Sequence, residues 1–276
     1  MTWRAGVVGS PITHSMSPVL HRAAYDALGL EGWSFHRDQV AAGELAAYVE
    51  RLPGDWVGLA VTMPLKEEAL ALGAEVGEEA RLVGGANTLL RTDGGWRAEN
   101  TDVYGLEQAL RGAGLGNASA AAVVGSGATA RSTLLTLSRF GVREVTLLVR
   151  DQVRPGALDL AERLGMAART CRYAEGPGRW GTPEVVVSTV PSGATPDVAG
   201  WVLPSGAVVC DVVYAGWPTP WATDWESQGV SVTRGDAMLL HQAVRQVRLM
   251  TGLEAPVEAM AAALRAALAA AGESRQ

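Results

Sequence analysis

Cysteine is nearly absent from this 276-residue chain, which contains only Cys171 and Cys210. Two cysteines build neither a disulfide framework nor a cysteine-based zinc site, and such usage fits a reducing cytoplasm. Charge is also sparse, at 19% of residues, with 23 Lys and Arg against 29 Asp and Glu. A net charge of −6 disfavours nucleic acid or an acidic membrane surface as the main partner. No uncharged apolar run reaches the roughly 18 residues of a membrane span. The opening MTWRAGVVGS matches neither a signal peptide nor a transit peptide. What is abundant is apolar material, 48% of the chain. That suffices for one large core or two modest ones and excludes a disordered or coiled-coil protein. A cytoplasmic protein is expected.

Short Val- and Leu-rich runs bounded by Gly, Pro or Asp predict strands near 4–9, 33–39, 56–62, 86–91, 120–124, 144–149, 184–189, 207–213 and 229–233. Helical periodicity falls near 18–29, 41–51, 65–72, 103–112, 128–139, 155–164, 237–251 and 256–271. Such alternation predicts parallel sheets covered by helices on both faces. Two points read as junctions: the Gly-rich RGAGLGNAS at 111–119, which a plain helix–strand connection would also explain, and Gly235-Asp236.

Six segments could carry chemistry. VVGSGATAR (123–131) follows an apolar strand and opens a helix. Gly125 and Gly127 would let backbone N–H groups approach a phosphate at the helix N-terminus, with Ala130 in place of a third glycine. An ordinary strand-to-helix turn would look similar. The next strand stops at Arg150-Asp151, with Arg154 beyond, where a Rossmann-type unit reads the adenosine ribose. An Arg there favours a 2′-phosphate and an Asp a free hydroxyl.

In GSPITHSMSP (9–18), Ser17 and Pro18 read as an N-cap and first helical residue, with Ser15 close by. Hydroxyls at a helix N-terminus suit a carboxylate ligand, although Ser17 could simply cap. His14 and His21 do not have the spacing of ligands on one helix face, and no metal site is expected. In AVTMPLKEEAL (60–70), Lys66 opens a helix, where the macrodipole disfavours a cation. GGANTLLRTDGGWRAENTDVYG (84–105) reads as a hairpin turning at Asp93-Gly94-Gly95, with Asn87-Thr88 and Asn100-Thr101-Asp102 on its arms. Asp102 directly precedes a helix and could be its N-cap. A strand ends at Tyr214 in CDVVYAGWPTPW, and Met238 and Gln242 share one helix face in GDAMLLHQAVRQV.

In this order, GSPITHSMSP, VTMPLK, GGANT, ENTD, GSGATAR, DVVYAGWPTP and GDAMLLHQA resemble the shikimate dehydrogenase family from Gly9 to about residue 260. The resemblance implies an α/β protein with a discontinuous substrate domain on a mixed sheet (1–102 and 237–276). Into it is inserted a Rossmann-like NADP-binding domain (103–236), and the C-terminal helices return to the substrate domain. It implies a monomer or homodimer that reduces 3-dehydroshikimate reversibly to shikimate with NADPH.

Carried over, Ser15 and Ser17 would bind the substrate carboxylate with help from Tyr214. Thr62, Lys66, Asn87, Asp102 and Gln242 would hold the ring hydroxyls, and Lys66 paired with Asp102 would be the acid/base. Gly125, Ser126, Gly127, Ala128 and Thr129 would cradle the diphosphate, and Arg150 and Arg154 would meet the adenosine phosphate. Thr189, Val212, Gly235 and Met238 would line the nicotinamide pocket, with Glu78 on the cofactor side. The chain departs from the family pattern at Ala60, Arg22 and Val149-Arg150-Asp151. The last keeps open a quinate/shikimate dehydrogenase that uses NAD more freely. A non-catalytic nucleotide sensor on the same scaffold is the other alternative, against which the retained Lys66 and Asp102 weigh.

Overall fold

The computed structural model describes residues 2–273. The chain forms two compact units: residues up to Gly105 together with those from Leu239 onward, and Leu106–Met238.

The first unit is built on a six-stranded sheet of β1 (Trp3–Gly9), β2 (Trp33–Gln39), β3 (Trp56–Val61), β4 (Glu75–Val76), β5 (Thr88–Thr92) and β6 (Gly95–Glu99). Its order is β2-β1-β3-β5-β6-β4. β1 pairs in parallel with β2 and β3, whereas β5 runs antiparallel to both β3 and β6. Strand–helix alternation alone predicts a parallel sheet; the β5–β6 hairpin turning at Asp93-Gly94 makes it mixed.

Successive residues of a strand face opposite sides. Val8, Leu59 and Val61 pack with Leu45, Leu65 and Ala69 on one face. Val7 and Ala60 pack on the other with Leu20 and Ala24 of the helix Ser17–Ala27. That second face is closed by Ala243, Val247 and Met250 of the helix Asp236–Thr251 and by Met260 and Leu264 of Val257–Glu273. Cover on both sides explains why β3, and β1 from Ala5 onward, read as unbroken apolar runs.

The second unit holds β7 (Ala120–Val124), β8 (Glu144–Val149), β9 (Ala167–Arg172), β10 (Val185–Ser188), β11 (Val208–Asp211) and β12 (Val232–Arg234). All pairs are parallel, in the order β12-β11-β10-β7-β8-β9. The chain steps outward from β7 to β9, then returns to the other side of β7 and steps out again. The direction of winding therefore reverses between β7 and β10, and such a reversal leaves a crevice beyond the C-terminal strand ends. Trp180, Trp201, Trp221 and Trp225 form a buried cluster with neighbouring ring centroids 5.0–5.9 Å apart. The segment 111–119 lies within this unit and connects the helix Asp102–Gly112 to β7.

Candidate active site

Lys66 is the first residue of the helix Lys66–Leu72, and Asp102 the first of Asp102–Gly112. Lys66 Nζ lies 2.5 Å from Asp102 Oδ2, with the two side chains only 14% and 7% exposed. The sequence left open whether Asp102 caps its helix. It does not, because Asn100 Oδ1 accepts from the backbone N–H groups of Asp102 (3.0 Å) and Val103 (3.4 Å). Asn100 therefore satisfies two N–H donors at the helix start, and the Asp102 carboxylate is left to bond side chains. A carboxylate is well placed at the positive end of its own helix, while the dipole of the neighbouring helix opposes the lysine. Pairing the two offsets that opposition.

Asn87, just before β5, completes the cluster. Its Oδ1 accepts from the Thr101 backbone N–H at 2.7 Å, which fixes the amide orientation. Its Nδ2 donates to Asp102 Oδ1 at 2.8 Å, with Gln242 Oε1 at 3.4 Å. Lys66, Asn87, Asp102 and Gln242 are thus brought together from four separate segments, as a cation, a carboxylate and two amides. Such a set can hold a polyhydroxylated ligand and exchange a proton with one of its oxygens.

Thr62 immediately follows β3, where its backbone N–H donates to Val8 O at 2.9 Å. Ser15 Oγ accepts from the Ser17 N–H at 3.3 Å. The loop before them is held by Arg37, whose guanidinium donates to the carbonyls of Thr13 and Ser15, both at 2.8 Å. The expected Ser17 N-cap is not formed. Met16 occupies that position, Ser17 is already helical, and no side-chain cap bond is made. Pro18, at the second helical position, is still compatible with the first turn, so the helix starts one residue earlier than the sequence predicts. Glu78 is exposed on the short helix Glu78–Val83 of the same unit.

In the second unit the remaining candidates follow the C-terminal ends of the strands. Gly125, after β7, has φ +106°, and a Cβ there would lie 2.6 Å from Thr189 Oγ1 and 2.9 Å from a Val190 methyl. Only glycine serves at this point. Thr189, after β10, donates through Oγ1 to Val124 O at 2.8 Å, tying the two strand ends across the winding reversal. Gly127 precedes the 12-residue helix Ala128–Arg139, which Ala128 and Thr129 open. Ser126 Oγ accepts from the Arg154 backbone N–H at 3.1 Å, so the loops after β7 and β8 are joined.

Arg150 and Asp151 stand 3.5 Å apart with both side chains 80% exposed. Val212 follows β11, and a Cβ on Gly235 would run into its carbonyl. Met238 is buried, and Tyr214 is half-buried in the loop after β11. Asp211, at the end of β11, is raised by burial even though it accepts from the Val213 N–H and the Thr219 hydroxyl. A glycine that admits close backbone approach, the positive end of a long helix and two outlying arginines suit a phosphorylated dinucleotide.

The sequence assigned no role to Thr88, Thr101 or Gln246, all of which are buried and bonded to Asn87. The available signal was the i,i+4 spacing of Gln242 and Gln246 on one helix face.

Residues 7–89 match the family described as Shikimate dehydrogenase substrate binding domain. Residues 237–265 match that described as Shikimate 5′-dehydrogenase C-terminal domain. The shikimate dehydrogenase (NADP(+)) of Dinoroseobacter shibae is 37% identical over 248 residues, covering 87% of this chain and 88% of the relative. The crystal structure of Mycobacterium tuberculosis shikimate dehydrogenase is similar with a TM-score of 0.83 at 42% identity, covering 96% of this chain and 99% of that one. The Thermus thermophilus enzyme, solved in complex with NADP(H) and shikimate, has a TM-score of 0.83 at 30% identity, over 97% of this chain and 100% of the other. The chain belongs to the shikimate dehydrogenase family.

Proposed function

We propose that this protein catalyses the reversible NADPH-dependent reduction of 3-dehydroshikimate to shikimate, the shikimate-pathway step that relatives at 30–37% identity are named for. The observation that carries the reading is the shielded Lys66–Asp102 pair, 2.5 Å apart and bonded to Asn87. NADPH, when bound, supplies the hydride. The residues of the chain have the other tasks: to grip and orient the ring, and to move one proton.

Lys66 donates a proton to the oxygen that becomes the alcohol and recovers it in the reverse direction, while Asp102 holds the ammonium in place. Asn87, Gln242 and Thr62 bond the ring hydroxyls, and Ser15 and Ser17 receive the carboxylate, with Tyr214 assisting. Gly125 to Thr129 would hold the cofactor diphosphate, Arg150 and Arg154 the 2′-phosphate, and Thr189, Val212, Gly235 and Met238 the nicotinamide, with Glu78 nearby. The substrate-binding part is then 1–102 with 237–276, and the nucleotide-binding part 103–236. Among the described residues no helix is long and apolar enough to cross a membrane. The reading includes a cytoplasmic enzyme acting as a monomer or homodimer.

Absorbance at 340 nm, crossing shikimate and quinate with NADP⁺ and NAD⁺, tests this directly. The fastest turnover is expected with shikimate and NADP⁺. No turnover of shikimate with either nucleotide would sink the proposal.

Ser15→Ala and Ser17→Ala should each raise the KM for shikimate at least about tenfold and change kcat less. Hydrogen bonds to a charged group are worth roughly 1.5–3 kcal/mol and here grip a part of the substrate remote from the reacting carbon. Since Ser17 makes no cap bond, its loss should leave the denaturation midpoint nearly unchanged. A lowered midpoint with unaltered kinetics would return Ser17 to a structural role.

A further inference from the structure

We infer that Gln246, and His21 through it, are positioning residues for Asn87 and Asp102, acting along a hydrogen-bond chain in which every donor points toward the carboxylate. The inference rests on the function proposed above.

The direction of each bond follows from what each atom can do. Gln246 Nε2 lies 3.3 Å from the Asn87 carbonyl and 3.0 Å from Thr88 Oγ1. A carbonyl only accepts, so the amide nitrogen faces the strand and Gln246 Oε1 faces His21 Nε2, 3.3 Å away. An amide oxygen also only accepts, so the imidazole proton sits on Nε2. His21 Nδ1 is then the bare nitrogen, and it is buried with no hydrogen-bond partner. Burial lowers His21 to about 4, which keeps the ring neutral near neutral pH. Thr88 Oγ1, having accepted from Gln246, donates its own proton to Asn87 Oδ1 at 2.9 Å. Asn87 Nδ2 then donates to Asp102 Oδ1 at 2.8 Å. Bonds aligned in one sense polarise one another, and here they end on the negative charge.

The packing supports a positioning role. His21, Thr88 and Gln246 are at most 1% exposed, and Gln246 shares its helix with the apolar core residues Ala243, Val247 and Met250. An unpartnered glutamine at that depth costs more than a leucine would, so its polarity needs partners. Gln246 lies one turn beyond Gln242. Its bonds to Asn87 and Thr88 therefore set the register of the helix against β5 and place Gln242 beside Asn87.

Steady-state kinetics on the full chain test the inference through a double-mutant cycle. Gln246→Met should lower kcat/KM for shikimate at least tenfold and leave the KM for NADP⁺ within twofold. Combined with Asn87→Ala, it should add less than threefold to the loss caused by Asn87→Ala alone, because both act through one group. Effects that multiply, or a Gln246→Met enzyme with unaltered kcat/KM, overturn it. Thr88→Val breaks the same chain with an isosteric side chain and should behave alike, which covers a Gln246 variant that does not fold. Imidazole ¹⁵N NMR reads the chain without substrate: His21 should carry its proton on Nε2 at pH 7, and an Nδ1–H tautomer overturns the inference. Wild-type enzyme inactive on shikimate would sink the proposed function, and the NMR result would still decide the chain.

Discussion

Replacing Lys66 by alanine should lower kcat by roughly 10²–10⁴, the usual contribution of a positioned general acid–base group, with a smaller change in substrate KM. The expectation rests on how the lysine is held. It begins its helix, where the macrodipole disfavours a cation, and it is largely shielded from water against Asp102. Few other arrangements would keep an ammonium at that spot. In the variant the carboxylate retains its bond from Asn87 Nδ2, so the fold should survive, which circular dichroism checks. Asp102→Asn should show a comparable kcat loss, since it removes the charge that holds the ammonium. A Lys66→Ala enzyme that keeps more than a tenth of wild-type turnover would falsify the proton-donor role.

Arg150→Ala should cut the preference for NADP⁺ over NAD⁺ by about tenfold or more, since charge-assisted bonds from arginine to phosphate contribute on the order of 1.5–3 kcal/mol. The relevant geometry is the 3.5 Å contact between Arg150 and Asp151, both 80% exposed. The carboxylate competes with a phosphate for the guanidinium and repels the phosphate itself. Solvent weakens that competition, so two arginines against one aspartate leave a positive balance, and a preference for NADP⁺ is the expected result. Asp151→Ser should then widen the margin by freeing Arg150. Measuring kcat/KM for both nucleotides in wild type and the two variants separates the terms. A wild type that prefers NAD⁺, shifted toward NADP⁺ by Asp151→Ser, would reverse the assignment and promote the quinate/shikimate reading.

The buried strands announced themselves in the sequence because each is a Val- or Leu-rich run covered on both faces. β9 did not. Four of its first five residues are exposed, so AARTCR at a sheet edge carries neither an apolar run nor a clean alternation. The two-residue β4 and the six-residue helix Glu78–Val83 are too short for any period to emerge. Pro220–Ser227 is hidden behind prolines that read as loop, although Thr219 caps it through its side chain.

At the site, the motifs contained Lys66, Asn87, Asp102 and Gln242 but gave no distances between them. Helix starts were the least certain part. Ser17 and Asp102 are both reasonable caps by residue type, yet Met16 holds the first cap position without a side-chain bond, and Asn100, two residues before its helix, makes the capping bonds at the second. Local preference is worth about 1 kcal/mol, which tertiary contacts readily exceed. Gln246 showed in the sequence only through its spacing from Gln242, because a glutamine on a helix looks solvent-facing until the strand it bonds is folded against it.

The core of the first unit also has a temporal side. Leu20, Ala24 and Phe35 are covered by Ala243, Val247, Met250, Met260 and Leu264, contributed after the whole second unit. During synthesis the first 105 residues must wait with one sheet face covered only in part, by the helix Ser17–Ala27, while residues 106–238 have everything their own sheet requires. Contacts this distant in sequence form late and slowly. The part of the chain made first is therefore finished last. In that interval its uncovered leucines and phenylalanine are surfaces that chaperones and proteases can reach, which limited proteolysis of stalled nascent chains would register.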